Sequence, residues 1–178
     1  MRVLPTLALL AALVAPPALA ADLTGRVVGI TDGDTLTLLT PDRRQTRIRL
    51  AEIDTPERGQ PYGSRAREAL SGLAFGRPAR VTVADTDRYG RTVGRVVVAG
   101  KDVNREMVRL GAAWVYRAYS RDPALPAVEA EARAARRGLW GLPEAERMPP
   151  WEWRRTPKTE RPSEPAAARA RRPASAPG

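Results

Sequence analysis

Asp32-Gly33-Asp34-Thr35-Leu36-Thr37-Leu38 and, after ten intervening residues, Arg49-Leu50-Ala51-Glu52-Ile53-Asp54-Thr55-Pro56-Glu57 are the stretches on which the reading of this chain turns. Carboxylates, a guanidinium and tight-turn residues fall there at the ends of predicted strands, where hard-cation chemistry on a phosphate can be assembled. The 178 residues contain no histidine and no cysteine. An imidazole base, a zinc site of the usual nitrogen and sulfur ligands, and a thiolate nucleophile are thereby excluded.

Outward from that stretch, Leu23 to Ile30 alternates weakly and is rich in β-branched residues, so it reads as a strand. Asp32-Gly33-Asp34 is a turn by composition, and Thr35 to Leu39 completes a hairpin. Pro41-Asp42 marks the next turn, and Gln45 to Ile53 reads as a third strand, ended by Asp54-Thr55-Pro56. From Pro61 the apolar positions Tyr62, Ala66, Ala69, Leu70 and Leu73 recur with helical period up to Gly76. Arg80 to Ala84 and Thr92 to Val98 are two more strands, separated by the polar loop Asp85 to Arg91. Asp102 N-caps a short helix carrying Val103, Met107 and Leu110 on one face and closed by Gly111. A third helix is expected from Asp122-Pro123 to Gly138, with Pro126 in its first turn and Glu129 and Arg133 paired at i,i+4. The order predicts an α+β, mainly β fold: a five-stranded OB-type Greek-key barrel with three packed helices.

Three segments are expected. Residues 1–20 have an export leader's pattern: Arg2, an apolar run from Leu7 to Val14, and Ala18-Leu19-Ala20 before a cleavage point. That apolar run is too short to span a membrane, and Pro16 and Pro17 oppose a buried helix. The expected address is secreted or periplasmic, and a fold without cysteine suits it only if the core suffices without disulfides. Residues 21–148 form the single domain. Residues 149–178 read as a basic Pro/Ala/Arg-rich tail too poor in large apolar side chains to order itself, with seven Lys/Arg and three Glu between 151 and 178. The formal net charge of +10 favours polyanionic partners. Generic solubilising charge in an arginine-rich chain is the less favoured alternative.

Asp34 follows the hairpin turn and Asp54 ends the third predicted strand. Strands two and three are neighbours in a small barrel, so these carboxylates can converge on one ion. With a backbone carbonyl near Thr55 and waters they make an oxygen-only site that suits Ca²⁺, held weakly, on the order of 10⁻⁴–10⁻³ M for extracellular modules. Either Asp alone is more simply a turn cap, and Asp32 reads as a turn former rather than a ligand. Arg49, in phase with Arg47, is either part of a solvated strand face or a planar fork for two phosphate oxygens. Glu57 is either a surface carboxylate before a helix or a general base for water. In Asp87-Arg88-Tyr89-Gly90-Arg91, an ordinary polar hairpin competes with a second reading. There Arg91 meets developing phosphoryl charge, and Arg88 and Tyr89 hold a neighbouring phosphate or sugar.

Taken together these residues resemble the thermonuclease, or staphylococcal-nuclease-like, family. Asp32-Gly33-Asp34-Thr35 through Arg49, Asp54, Pro56 and Glu57 is similar to its first signature, and Asp87 to Gly94 to its second. The similarity extends over roughly residues 23–142. It implies an OB-fold enzyme hydrolysing DNA and RNA with Ca²⁺. Asp34 and Asp54 match its carboxylate ligands and Thr55 its main-chain ligand, while Arg49, Glu57 and Arg91 match its catalytic residues. It also implies attack of water on the phosphodiester with cleavage of P–O5′, leaving 3′-phosphate ends. Among the tyrosines, Tyr116 is the better match to a substrate contact and Tyr119 the second. The segment from Glu57 to Tyr62 is shorter than the basic loop of the best-known members, and Val97 stands where the second signature usually ends in an aromatic.

The function expected is therefore an exported Ca²⁺-dependent endonuclease, a hydrolase of ester bonds, acting on DNA and RNA as a monomer without a membrane span. A noncatalytic nucleic-acid-binding OB module and a cell-surface polyanion binder anchored by the basic tail are the alternatives.

Overall fold

Short β-branched strands joined by tight turns curl into a closed barrel in the computed structural model, which describes residues 22–162. The elements in chain order are β1 (Asp22–Ile30), β2 (Thr35–Leu39), β3 (Gln45–Leu50), β4 (Ile53–Asp54), α1 (Gly63–Ala74), β5 (Pro78–Thr86), β6 (Thr92–Val98), β7 (Lys101–Asp102), α2 (Val103–Arg109), β8 (Trp114–Val115), α3 (Leu125–Ala134) and α4 (Pro150–Arg155). The main sheet runs β3-β2-β1-β5-β6-β7, and β3 also pairs in parallel with β6, which closes five strands into an OB-type barrel. Period-two alternation puts Leu36, Leu38, Ile48, Leu50, Val81, Val96 and Val98 inside. Helix α1 covers the barrel with Ala66, Leu70 and Ala74, and α2 with Val103 and Met107.

Asp102 caps α2 as expected, accepting the Arg105 amide. Helix α2 also buries Asn104. Its Oδ1 accepts the Val96 amide, and its Nδ2 donates to the carbonyls of Ala51 and Gly94. This one side chain therefore ties the helix to β6 and to the turn after β3.

Two expectations are corrected here. The third strand ends at Leu50 rather than Ile53. Glu52 adopts φ 66°, and Ile53–Asp54 becomes a separate strand paired with Trp114–Val115. Helix α3 spans Leu125–Ala134, shorter than expected, with Pro126 in its first turn.

The segment expected to lack order from residue 149 is folded as far as it is described. A fourth helix forms at Pro150–Arg155 and a 3₁₀ turn at Lys158–Glu160. Trp153 is buried with the Arg161 guanidinium 5.2 Å over its ring, while Trp151 packs on a cluster of Trp114, Ala132, Leu139 and Trp140. Partners far away in sequence supply the burial that the local composition lacks. The export leader read in residues 1–20 and the tail beyond residue 162 lie outside the described residues. Among the described residues no helix is long and apolar enough to cross a membrane.

Candidate active site

The turn between β1 and β2 lies flat against the next part of the site because Gly33 has no side chain. A Cβ there would stand 2.7 Å from Thr55 Oγ1 and 2.8 Å from the Ala66 Cβ. Asp34 leaves this turn nearly buried, accepting the Thr35 hydroxyl at 3.1 Å, while its carbonyl receives the Leu50 amide at 2.8 Å. Thr35 and Arg49 are register partners across β2 and β3. Arg49 Nη2 therefore reaches both carboxylates, 3.3 Å from Asp34 Oδ2 and 2.9 Å from Asp54 Oδ1. Its Nη1 donates to the Leu50 and Ile53 carbonyls, which fixes the fork from the backbone side.

Asp54 is brought in by the β4–β8 pairing. Glu129 supports that pairing from α3: Oε1 accepts the Val115 amide, and Oε2 receives Arg117 and Arg133. The i,i+4 contact expected of Glu129 with Arg133 is present, but its carboxylate is buried and tethers a strand.

Burial dominates the proton affinities here. It pushes the Asp32 carboxyl up to about 7, helped by the charge of Asp34. Burial likewise raises Asp54 despite the opposing hydrogen bond from Arg154. For Arg49, burial works against the charged form, but Asp34 and Asp54 outweigh it and hold the guanidinium above its ordinary value.

Glu57 sits on a loop held by Gln60, whose Oε1 accepts the Glu57 amide and whose own amide donates to the Glu57 carbonyl. Arg91 is anchored on Asp87, with Nε 2.7 Å from Oδ2, and its Nη1 lies 3.4 Å from Thr35 Oγ1. Asp87 Oδ1 also accepts the amides of Tyr89 and Arg91, which shapes the hairpin loop. Tyr89 is exposed, with the Arg88 guanidinium 4.9 Å over its ring. Tyr116 and Tyr119 meet edge to face at 4.7 Å.

A cleft of about 840 Å³ brings together all nine residues expected from the sequence: Asp34, Arg49, Asp54, Thr55, Glu57, Arg88, Tyr89, Arg91 and Tyr116. Tyr119 lines it as well.

One residue of the cleft went unread in the sequence. Arg154 of α4 places Nη2 2.6 Å from Asp54 Oδ2 and Nη1 2.7 Å from Glu57 Oε1. Its only sequence signal is the pair Trp151 and Trp153, two large apolar anchors in an otherwise polar stretch.

The sequence pattern described as "Staphylococcal nuclease homologue" matches residues 47–141. An uncharacterized endonuclease of Escherichia coli O157:H7 is 47% identical over 139 residues, covering 78% of this chain and 89% of that protein. The chain belongs to the staphylococcal nuclease family. A micrococcal nuclease of Shigella flexneri is 45% identical over 149 residues, covering 78% of this chain and 84% of its own length. A protein ParB of Escherichia coli is 46% identical over 165 residues, or 86% and 91% of the two chains. The matched family pattern takes in the site residues from Arg49 to Tyr116 and leaves Asp34 and Arg154 outside it.

The donors of this staphylococcal nuclease family site suit a hard cation. Asp34 and Asp54 are buried oxygen donors, Thr55 lines the cleft beside them, and the chain offers no histidine or cysteine to compete. Among the described residues no three acidic side chains close on one point, so a cation held here would need water to complete its shell. A guanidinium already rests on Asp54 and Glu57, which marks that side of the cleft as cation-binding.

Proposed function

We propose that this protein is an exported, Ca²⁺-dependent nuclease that hydrolyses phosphodiester bonds of DNA and RNA and leaves 3′-phosphate ends. The observation that supports this most is the convergence in one cleft of two buried carboxylates, one guanidinium anchored from strand β3 and one from the β5–β6 loop, and Glu57. The relatives named as nucleases point the same way. The leader pattern of residues 1–20 supports a secreted or periplasmic address, where calcium is abundant enough for a weak site.

Asp34, Asp54 and the Thr55 main chain would hold the calcium ion. Bound there, it would supply Lewis-acid polarisation of a phosphoryl oxygen and would make a nearby water easier to deprotonate. Arg49, held from behind by two carbonyls, presents its fork to the remaining phosphoryl oxygens. Arg91, steadied on Asp87, faces the charge that develops as the bond breaks. Glu57 accepts the proton of the attacking water. Tyr116 and the Arg88–Tyr89 pair hold the neighbouring nucleotides by stacking and by phosphate contact.

The test is hydrolysis of single-stranded DNA by the mature protein, with calcium and with excess chelator, beside Glu57→Ala, with end-group analysis of the products. Calcium-dependent cleavage to 3′-phosphate ends that drops by about 10²–10⁴-fold in the variant is expected. Cleavage that survives both chelator and substitution would overturn the assignment. Binding without cleavage at any calcium concentration would favour a noncatalytic module.

A further inference from the structure

Asp54 has one oxygen that Arg49 leaves alone. Arg49 Nη2 bonds Oδ1, whereas Oδ2 receives Arg154 Nη2 at 2.6 Å, and Arg154 Nη1 spans from Oδ1 at 3.3 Å to Glu57 Oε1 at 2.7 Å. The guanidinium therefore occupies the Asp54 oxygen that Arg49 leaves and ties down the proposed base. A divalent cation on that carboxylate would stand close to a guanidinium of like charge, so the two compete for it.

The helix backbone and the side chain of Arg154 are held very differently. Trp151 stacks on Tyr116 with ring centroids 5.4 Å apart and 6° between planes, and meets Trp114 edge-on at 5.8 Å. On the other side Trp153 is buried. Just before α4, the Met148 carbonyl accepts Gln60 Nε2 at 2.6 Å, and the same Gln60 holds the Glu57 amide. The Arg154 side chain, in contrast, is 41% exposed and bonded only at its tip. It can swing within the cleft without unseating α4.

We propose that Arg154 is a phosphate-binding residue held in reserve: it neutralises Asp54 and Glu57 while the cation position is empty, and it turns to the substrate phosphodiester when a divalent cation takes those carboxylates. This rests on the calcium-nuclease reading above. Arg49 bonds Asp54 Oδ1 only, and a buried carboxylate oxygen left without a partner is costly, so Arg154 supplies the counter-charge for Oδ2. The planar guanidinium fits phosphate oxygens as well as it fits carboxylate oxygens, so the same fork serves both states. Arg154 then joins Arg47, Arg49, Arg88 and Arg91 among the arginines of the cleft, contributed by a segment outside the barrel.

The experiment compares the full mature chain with Arg154→Met and Arg154→Lys. Calcium alone is titrated by calorimetry, and KM and kcat for single-stranded DNA are measured at saturating calcium. Near-ultraviolet circular dichroism of the tryptophans checks that α4 stays docked. Arg154→Met should bind calcium about tenfold more tightly yet show a KM raised about tenfold. Arg154→Lys, which keeps the charge and loses the fork, should keep near-wild-type calcium affinity with an intermediate KM. Unchanged calcium affinity in Arg154→Met, with cleavage intact, would overturn this proposal and leave the nuclease reading standing. Tighter calcium with an unchanged KM would overturn the transfer to phosphate. Calcium binding by neither protein would overturn the calcium assignment and this proposal with it.

Discussion

Gly63 and Gln60 determine where Glu57 stands, although neither carries chemistry. A Cβ on Gly63 would lie 2.1 Å from the Glu57 carbonyl oxygen, a backbone contact that no rotamer relieves. Gly63→Ala is expected to push the Glu57 loop outward and to lower kcat by roughly 10–100-fold, as displacement of a positioned group by about 1 Å does. Single-turnover cleavage at saturating calcium measures it, and an unchanged rate would mean the loop tolerates the shift. The candidate catalytic and ligand residues were legible because their chemistry is local: carboxylates at turns, arginines in phase on a strand, a proline beside Glu57. Gly63 was not, because its role depends on a carbonyl six positions earlier folding back over the start of α1. Arg154 was not either, since its partners Asp54 and Glu57 lie about a hundred residues away.

At the scale of elements, Arg95 joins pieces that alternation alone leaves separate. It pairs with Glu52 after β3 at 3.6 Å, with Asp102 at the start of α2 at 3.1 Å, and with Asp122 before α3. The Arg95 hydrogen bond, followed by that of the Ala124 amide, holds the Asp122 carboxyl below its ordinary value near 3.8. A carboxyl lowered on folding contributes stability that is present above that ordinary value and is lost as pH falls through the lower folded value. Arg95→Met should therefore melt a few degrees below wild type near neutral pH, a modest gap because the arginine is partly solvated. The gap should close below about pH 4. Thermal unfolding across pH 2–7 tests this, and a gap independent of pH would assign Arg95 to packing alone. The end of β3 was illegible for a related reason. Without a Gly or Pro before Ile53 the run reads on as strand, but the Glu52 carbonyl receives the Tyr116 amide and its carboxylate the Arg121 amide, and these distant donors turn the chain at Glu52.

For the whole molecule, a formal charge of +10 on 178 residues makes substrate binding a counterion-release process. With roughly three or four phosphates neutralised, KM for single-stranded DNA should rise about 10–50-fold between 50 and 200 mM salt. A steady-state salt series at fixed calcium measures the slope, and a flat response would mean that the excess charge lies off the substrate path. What the sequence determined by itself follows from short-range physics. Alternation set the barrel strands, helical periodicity set α1 to α3, the turn residues set the hairpins, and the lack of histidine and cysteine narrowed the chemistry to oxygen ligands and guanidiniums. Tertiary structure alone decided the break at Glu52, the burial of Glu129 and Asn104, and the docking of α4 with Arg154 over the carboxylates. Each of these rests on a partner far along the chain, and a polar segment such as 150–155 is ordered only when that partner supplies the burial it cannot provide for itself.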